Sequence, residues 1–174
     1  MLLVQRLANI TDLDFIYSCI LYGSRKGHFS FDVGNSFMVN CMKREMQSVV
    51  HDQQLLDQRQ AQASIFFTQG KRIATLIMSE VAGEQSAYEI YAIVVARKFQ
   101  HQGYGGQIID EVLSHYPQSD IYARCAPGSD QIVRLLDRRG FRLSSIDDDY
   151  RVFIRESAHY SDITEPMYLK HSWL

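Results

Sequence analysis

The period of hydrophobic and polar positions changes several times along the chain, and each change marks an element. Residues 2–6 (LLVQR) predict a short strand. Thr11 suits a helix N-cap, and Leu13, Ile16, Tyr17 and Ile20 then recur at helical spacing until Gly23 is expected to stop the helix. After the turn-rich connection SRKGHFSFDVGNS (24–36), Met38, Cys41, Met42, Met46, Val49 and Val50 mark a second helix, which fades into the polar stretch DQQLLDQRQAQ (52–62). From Ala63 the period is that of strands. ASIFFTQG and KRIATLIMSEV, joined at Gln69-Gly70, predict a hairpin, and AYEIYAIVV predicts a third antiparallel strand.

Beyond Val95 the stretch FQHQGYGG (99–106) places Gly103, Gly105 and Gly106 ahead of a helix with Ile108, Ile109, Val112, Leu113 and Tyr116 on one face. That helix stops near Pro117. IYARC (121–125) predicts a strand, and Pro127-Gly128-Ser129 opens a helix in which Ile132, Val133, Leu135 and Leu136 are expected to be buried. Gly140 closes it, and a strand starts at Phe141. The last strand is either YRVFIRE (150–156) or PMYLKHSW (166–173). The pattern predicts one α/β domain over 1–174, with a mixed, mostly antiparallel sheet of six to seven strands flanked by about four helices.

Composition adds exclusions rather than a function. The 174 residues suffice for a sizeable core, and a net charge of -2 offers no global attraction to nucleic acid or an anionic membrane. Cys19, Cys41 and Cys125 are widely spaced with no C-x-x-C pair, so neither a disulfide framework nor a metal site is expected. The N-terminal MLLVQRLANITDLDF lacks the pattern of a leader, and no long apolar run follows, which predicts a soluble cytoplasmic protein.

The glycine loop is the informative feature. A strand feeding a glycine-rich turn that opens a helix gathers backbone N–H groups at the positive end of the helix, which suits phosphate. A G-x-G-x-x-G reading fails because the sixth position from Gly103 is Ile108, and no glycine is followed by Lys and a hydroxyl residue as a P-loop requires. Q-x-x-G-x-G, from Gln100 to Gly105, fits. With that motif and the Gly140-Phe141 pair opening the later strand, the chain resembles the GNAT acyltransferase superfamily, in element order over 2–146 and in specific motifs between 88 and 141.

The resemblance implies a GNAT-like fold and an acetyl-CoA-dependent N-acetyltransferase, acting on a primary amine of a small molecule or protein by direct transfer in a ternary complex. It implies a cofactor-binding core at 88–146, acceptor-side helices and loop at 11–60, and a C-terminal strand or tail at 147–174. The pyrophosphate of coenzyme A falls to main-chain amides around Gln102, Gly103, Tyr104, Gly105 and Gly106, next to Gln100; Arg97, Lys98 and Arg138 are cationic candidates for its other phosphate. Backbone groups of Val94 and Val95 are expected to hold the pantetheine arm and polarise the thioester. Ser129 stands where the family usually has asparagine, able to cap the helix and to touch the cofactor arm.

For the chemistry, a lysine-like ammonium with a pKa near 10.4 is less than roughly one part in a thousand neutral at pH 7, so a base is valuable. Glu89, eleven residues before Gln100, matches the position of the family's catalytic glutamate; its alternative is a carboxylate on an exposed strand face. The family's fourth strand carries a bulge, so alternation is not extended past Ala92. The usual acid, a tyrosine, is replaced by Leu136, which leaves Tyr122, Tyr91 or Tyr150 to substitute. His28 and Phe29, with Tyr91, are expected on the acceptor wall, and His28 serves as the base if Glu89 points away. Cys125 reads as a buried thiol, and the tail MYLKHSWL with Trp173 as edge packing or a homodimer contact. The competing reading, motivated by Leu136, is a catalytically weak acyl-CoA-binding sensor or partner module.

Overall fold

A computed structural model of the chain describes residues 3–146 and 149–157. The described elements are β1 (Val4–Leu7), α1 (Leu13–Arg25), α2 (Ser36–His51), β2 (Ala61–Thr68), β3 (Lys71–Glu80), β4 (Ala87–Val95), α3 (Tyr104–His115), β5 (Asp120–Cys125), α4 (Asp130–Asp137), β6 (Arg142–Ile146) and β7 (Arg151–Arg155). They build one α/β domain on a seven-stranded sheet in the order β1-β2-β3-β4-β5-β7-β6, in which only β4 and β5 run parallel. The strand at 151–155 inserts between β5 and β6, so YRVFIRE supplies the last described strand. PMYLKHSW and Trp173 lie outside the described residues.

Two apolar cores cover the two faces. On one, Leu13, Ile16 and Ile20 of α1 and Met42, Met46 and Val49 of α2 pack on Ala63, Ile65 and Ile77. On the other, Ile108, Ile109 and Val112 of α3 and Leu136 of α4 pack on Leu76, Ile90, Ile121 and Ala123. The hairpin is as expected: Gln69 and Gly70 both have positive φ (48° and 71°), the signature of a primed turn whose twist matches its strands.

Three local expectations are corrected. The N-cap is Asn9, not Thr11: its side chain accepts from the Thr11 amide (2.9 Å) while Asp12 accepts from the Asn9 amide (2.9 Å), and a 3-10 turn at Ile10–Asp12 leads into α1. Gly23 does not end α1, which continues to Arg25; its missing side chain makes room for the Phe29 ring, since a Cβ there would lie 2.6 Å from Phe29 Cε2. In α4 only Leu136 is fully buried; Ile132, Val133 and Leu135 are half-buried against the α3–α4 core, and Ile132 and Leu135 also border a cavity.

Asp12, fully buried, ties this first turn to the sheet through Arg6 Nη1 (2.7 Å) and Arg72 Nε (3.0 Å). Burial would raise its pKa, but the Arg6 hydrogen bonds, the Asn9 amide and the two guanidinium charges outweigh it and hold the carboxyl below its ordinary 3.8. A depressed carboxylate stabilises fully above its unfolded-state value and loses that contribution as pH falls through the folded value. Asp12→Asn is therefore expected to cost about 2–4 kcal/mol at neutral pH and to flatten acid unfolding below about pH 4 in urea titrations. The figure sits low in the buried-pair range because the Arg6 and Arg72 side chains are 38% and 39% exposed.

Candidate active site

The site begins with a defect in β4. Met78 pairs with Ile90 but Ile77 with Ala92, so Tyr91 is an extra residue that reverses the alternation. Glu89 and Tyr91 precede the reversal on the α1–α2 side; Ile93 and Val95 then pack on the α3–α4 side with Tyr88 and Ile90. The same bulge turns β4 away from β5. Their pairing ends at Ile90–Ala123, while β5 continues alongside β7 to Cys125. A gap opens between two parallel neighbours, and it points at the N-terminus of α3.

That gap is a cavity of about 300 Å³, lined by β4 from Ile90 to Val95, β5 from Ala123 to Cys125, the glycine loop, and Ser129, Ile132 and Leu135 near α4. From α1 and the loop behind it Gly23, His28 and Phe29 complete the wall. Backbone polarity follows from the register. Ala96 N donates to Ile73 O (2.8 Å), so alternation turns the backbone groups of Val94 toward β3 and those of Ile93 and Val95 toward the gap. Gln100 Nε2 donates to Val95 O (2.9 Å), which anchors the glycine loop to this edge. Of the expected backbone pair, Val95 thus faces the gap, Val94 does not, and Ile93 is the residue that sequence reasoning missed.

The three glycines serve three different purposes. Gly103 caps α3 with φ +82°, a left-handed conformation that side chains strain. A Cβ on Gly105 would lie 3.3 Å from Leu135 Cδ1, and one on Gly106 would lie 2.6 Å from Arg139 Nη2. Arg139 is held there by a bidentate pair with Asp110 (2.6 and 2.8 Å), so Gly106 also lets α4 lean on α3. The first helical bond closes from Gln107 N to Gly103 O (3.2 Å), so the amides of Gly105 and Gly106 precede it at the helix N-terminus. With the positive end of a twelve-residue helix behind them, they form a concentrated donor cluster at the mouth of the gap.

Most expected site residues meet here: His28, Phe29, Tyr91, Val94, Val95, Gln100, Gly103, Tyr104, Gly105, Gly106 and Ser129 line one cavity. Three do not. Gln102 stays outside, its side chain donating to Lys98 O (3.1 Å). Tyr122 also stays outside, its hydroxyl donating to Glu84 Oε2 (3.0 Å); burial and that carboxylate push its pKa up to about 12. Its expected role as proton donor is corrected on that geometry. Ser129 occupies the N-cap position of α4 without a side-chain capping bond, so its expected capping role is corrected too.

Glu89 is the third. It is buried and absent from the cavity wall, and both its oxygens are engaged: Arg124 Nε at 2.5 Å and Nη2 at 3.1 Å, and Arg59 Nη1 at 2.8 Å. It is therefore not the exposed carboxylate that sequence reasoning offered as the alternative. Burial opposes the Arg59 charge, yet the hydrogen bonds it donates to Glu89 and Asp57 prevail and raise its pKa; for Arg124 the bond it donates to Glu89 is the largest effect and also raises it. Tyr91, whose hydroxyl donates to Glu45 Oε2 (2.7 Å), has its pKa raised by burial and by that neighbour. Cys125 lies on the wall, but burial pushes its thiol up to about 11, so roughly one part in ten thousand is thiolate at pH 7.

The acetyltransferase (GNAT) family model matches residues 35–141, from α2 through the glycine loop to the start of β6. The chain belongs to the GNAT family. Solved GNAT structures share its architecture at low identity. A spermidine N-acetyltransferase from Vibrio cholerae, in complex with CoA and spermine, superposes with a TM-score of 0.66 at 17% identity, covering 87% of this chain and 92% of that one. The PaiA N-acetyltransferase of Thermoplasma acidophilum, in complex with coenzyme A, gives 0.67 at 11% identity, with 90% and 99% covered. No curated protein sequence matches the chain. Among the described residues of this GNAT protein, no helix is long and apolar enough to cross a membrane.

Proposed function

We propose that the protein is an acetyl-CoA-dependent N-acetyltransferase that acetylates a primary amine by direct transfer in a ternary complex. The observation that carries this reading is the β4–β5 gap opening onto the glycine loop and the N-terminus of α3. The residues fit the cofactor: Gly103, Tyr104, Gly105 and Gly106 would receive its pyrophosphate, and the gap-facing backbone of Ile93 and Val95 would meet its extended arm. Bound acetyl-CoA supplies the activated acyl thioester.

The chain's own groups supply the rest. The Ile93 amide, aimed into the gap, is the donor placed for the thioester carbonyl as charge develops on it. His28, on the acceptor side of the cavity, takes the proton from the incoming ammonium; Glu89 gives up that role because both its oxygens are held by arginines and neither reaches the wall. No protein acid is needed for the departing thiolate, because a thiol of pKa near 8.5 leaves readily at neutral pH. Leu136 at the customary tyrosine position is compatible with that economy, which disfavours the sensor-module reading.

Free-thiol release from acetyl-CoA across a panel of amines is the test. Initial rates varied in both substrates are expected to give intersecting reciprocal plots. Parallel plots would instead indicate a covalent acyl-enzyme, and absence of amine-dependent thiol release across the panel would favour the sensor reading.

A further inference from the structure

The cavity wall also bears on which amines enter, an inference that rests on the acetyl-transfer reading above. Among the described lining residues Arg124 is the one with a permanent charge, and none is a carboxylate. Three carboxylates lie behind the wall, and each is already engaged. Glu89 is held by Arg59 and Arg124, Asp57 by Arg59 Nε (2.8 Å), and Glu45 accepts from the Tyr91 hydroxyl (2.7 Å). Among the described residues, then, a polycationic acceptor finds no carboxylate on the cavity wall itself.

Arg124 itself is poised differently. Its Nε and Nη2 are fixed on Glu89, its Nη1 donates to no described residue, and its side chain remains 41% exposed. It shares a sheet face with Glu89, on the α1–α2 side, because its neighbours Ala123 and Cys125 point into the α3–α4 core. That places it across the sheet from the α3 amides and beside His28, Phe29 and Tyr91 on the wall. Glu89, backed by Arg59, orients the guanidinium, the Tyr150 ring lies against its face with the centroid 5.8 Å from Cζ, and the Nη1 edge of Arg124 is left to meet a planar anion.

We propose that Arg124 binds a carboxylate of the acceptor, so that the substrates are primary amines bearing a carboxylate, such as free amino acids, with the rest of the molecule against Phe29 and Tyr91. Matched pairs differing only in that group test it: lysine against cadaverine, and phenylalanine against phenethylamine, with spermidine as the polycation. kcat/KM is read by thiol release, and binding to the CoA-loaded protein by calorimetry.

The carboxylated member of each pair is expected to be favoured at least about 10-fold, the scale of one charge-assisted hydrogen-bonded pair. Arg124→Gln should lower kcat/KM for the carboxylated amines about 10- to 100-fold while moving the decarboxylated ones less than about threefold. A loss of folding alone would lower both alike. Rates are therefore taken per molecule of variant that melts cooperatively and keeps the CoA response, with Arg124→Lys as the second variant. Equal or reversed preference in the wild type, failure of every carboxylated amine to bind or react, or an equal loss for both classes in such a folded variant overturns the proposal. A wild-type protein whose melting temperature does not respond to CoA overturns the cofactor reading beneath it, which that measurement identifies separately.

Discussion

Gly105→Glu is expected to abolish the stabilisation that acetyl-CoA and CoA give the wild-type protein. At 100 times its dissociation constant a ligand of the native state adds about 2.7 kcal/mol, which for a domain of this size is a rise of roughly 5–10 °C in Tm. The glutamate would bring a carboxylate among the Tyr104, Gly105 and Gly106 amides, where it competes with phosphate for the same donors and repels it. Gly105→Ala separates charge from packing. Its Cβ meets Leu135 Cδ1 at 3.3 Å, the end of a flexible side chain, so a small shift accommodates it and most of the ligand response is kept. Differential scanning fluorimetry of both variants with CoA and with NAD as control is decisive, and an undiminished CoA response in Gly105→Glu would remove the phosphate assignment.

His28→Gln carries the second large effect. As the group placed to accept the ammonium proton, its loss is expected to lower kcat/KM about 100-fold or more while leaving the CoA-induced Tm shift in place. Glu89→Gln behaves otherwise. Removing the charge leaves Arg59 and Arg124 facing each other without their shared carboxylate, so the cost falls on stability, about 3 kcal/mol, with the Arg124 side discounted for its exposure. Activity per folded molecule should then change far less than in His28→Gln. The opposite ranking, a folded Glu89→Gln that loses more turnover than His28→Gln, would return the base to Glu89.

These two experiments probe parts of the site that differ in how they are written in the chain. Gln100 to Gly106 is a contiguous run, and its donors belong to its own backbone, so counting positions was enough to find it. The Leu136 departure was visible the same way. Tyr122 shows the reverse: a tyrosine on the right strand, yet the hydrogen bond to Glu84, 38 residues earlier, takes it out of the cavity. Arg124 was missed because an arginine in IYARC looks like a solvated charge. Only the pairing of β5 beside β4 reveals that it meets Glu89.

By itself the sequence determined the order of the elements, the hairpin at Gln69-Gly70 and the phosphate loop, because periodicity, turn chemistry and helix-terminal amides act over a few residues. The tertiary structure decided the fate of the charged and backbone groups. Glu89 meets Arg59 and Arg124 across separations of 30 and 35 residues, and a single extra residue at Tyr91 decides whether Val94 or Ile93 faces the gap. Such outcomes depend on register between strands, where one position of slip exchanges the two faces.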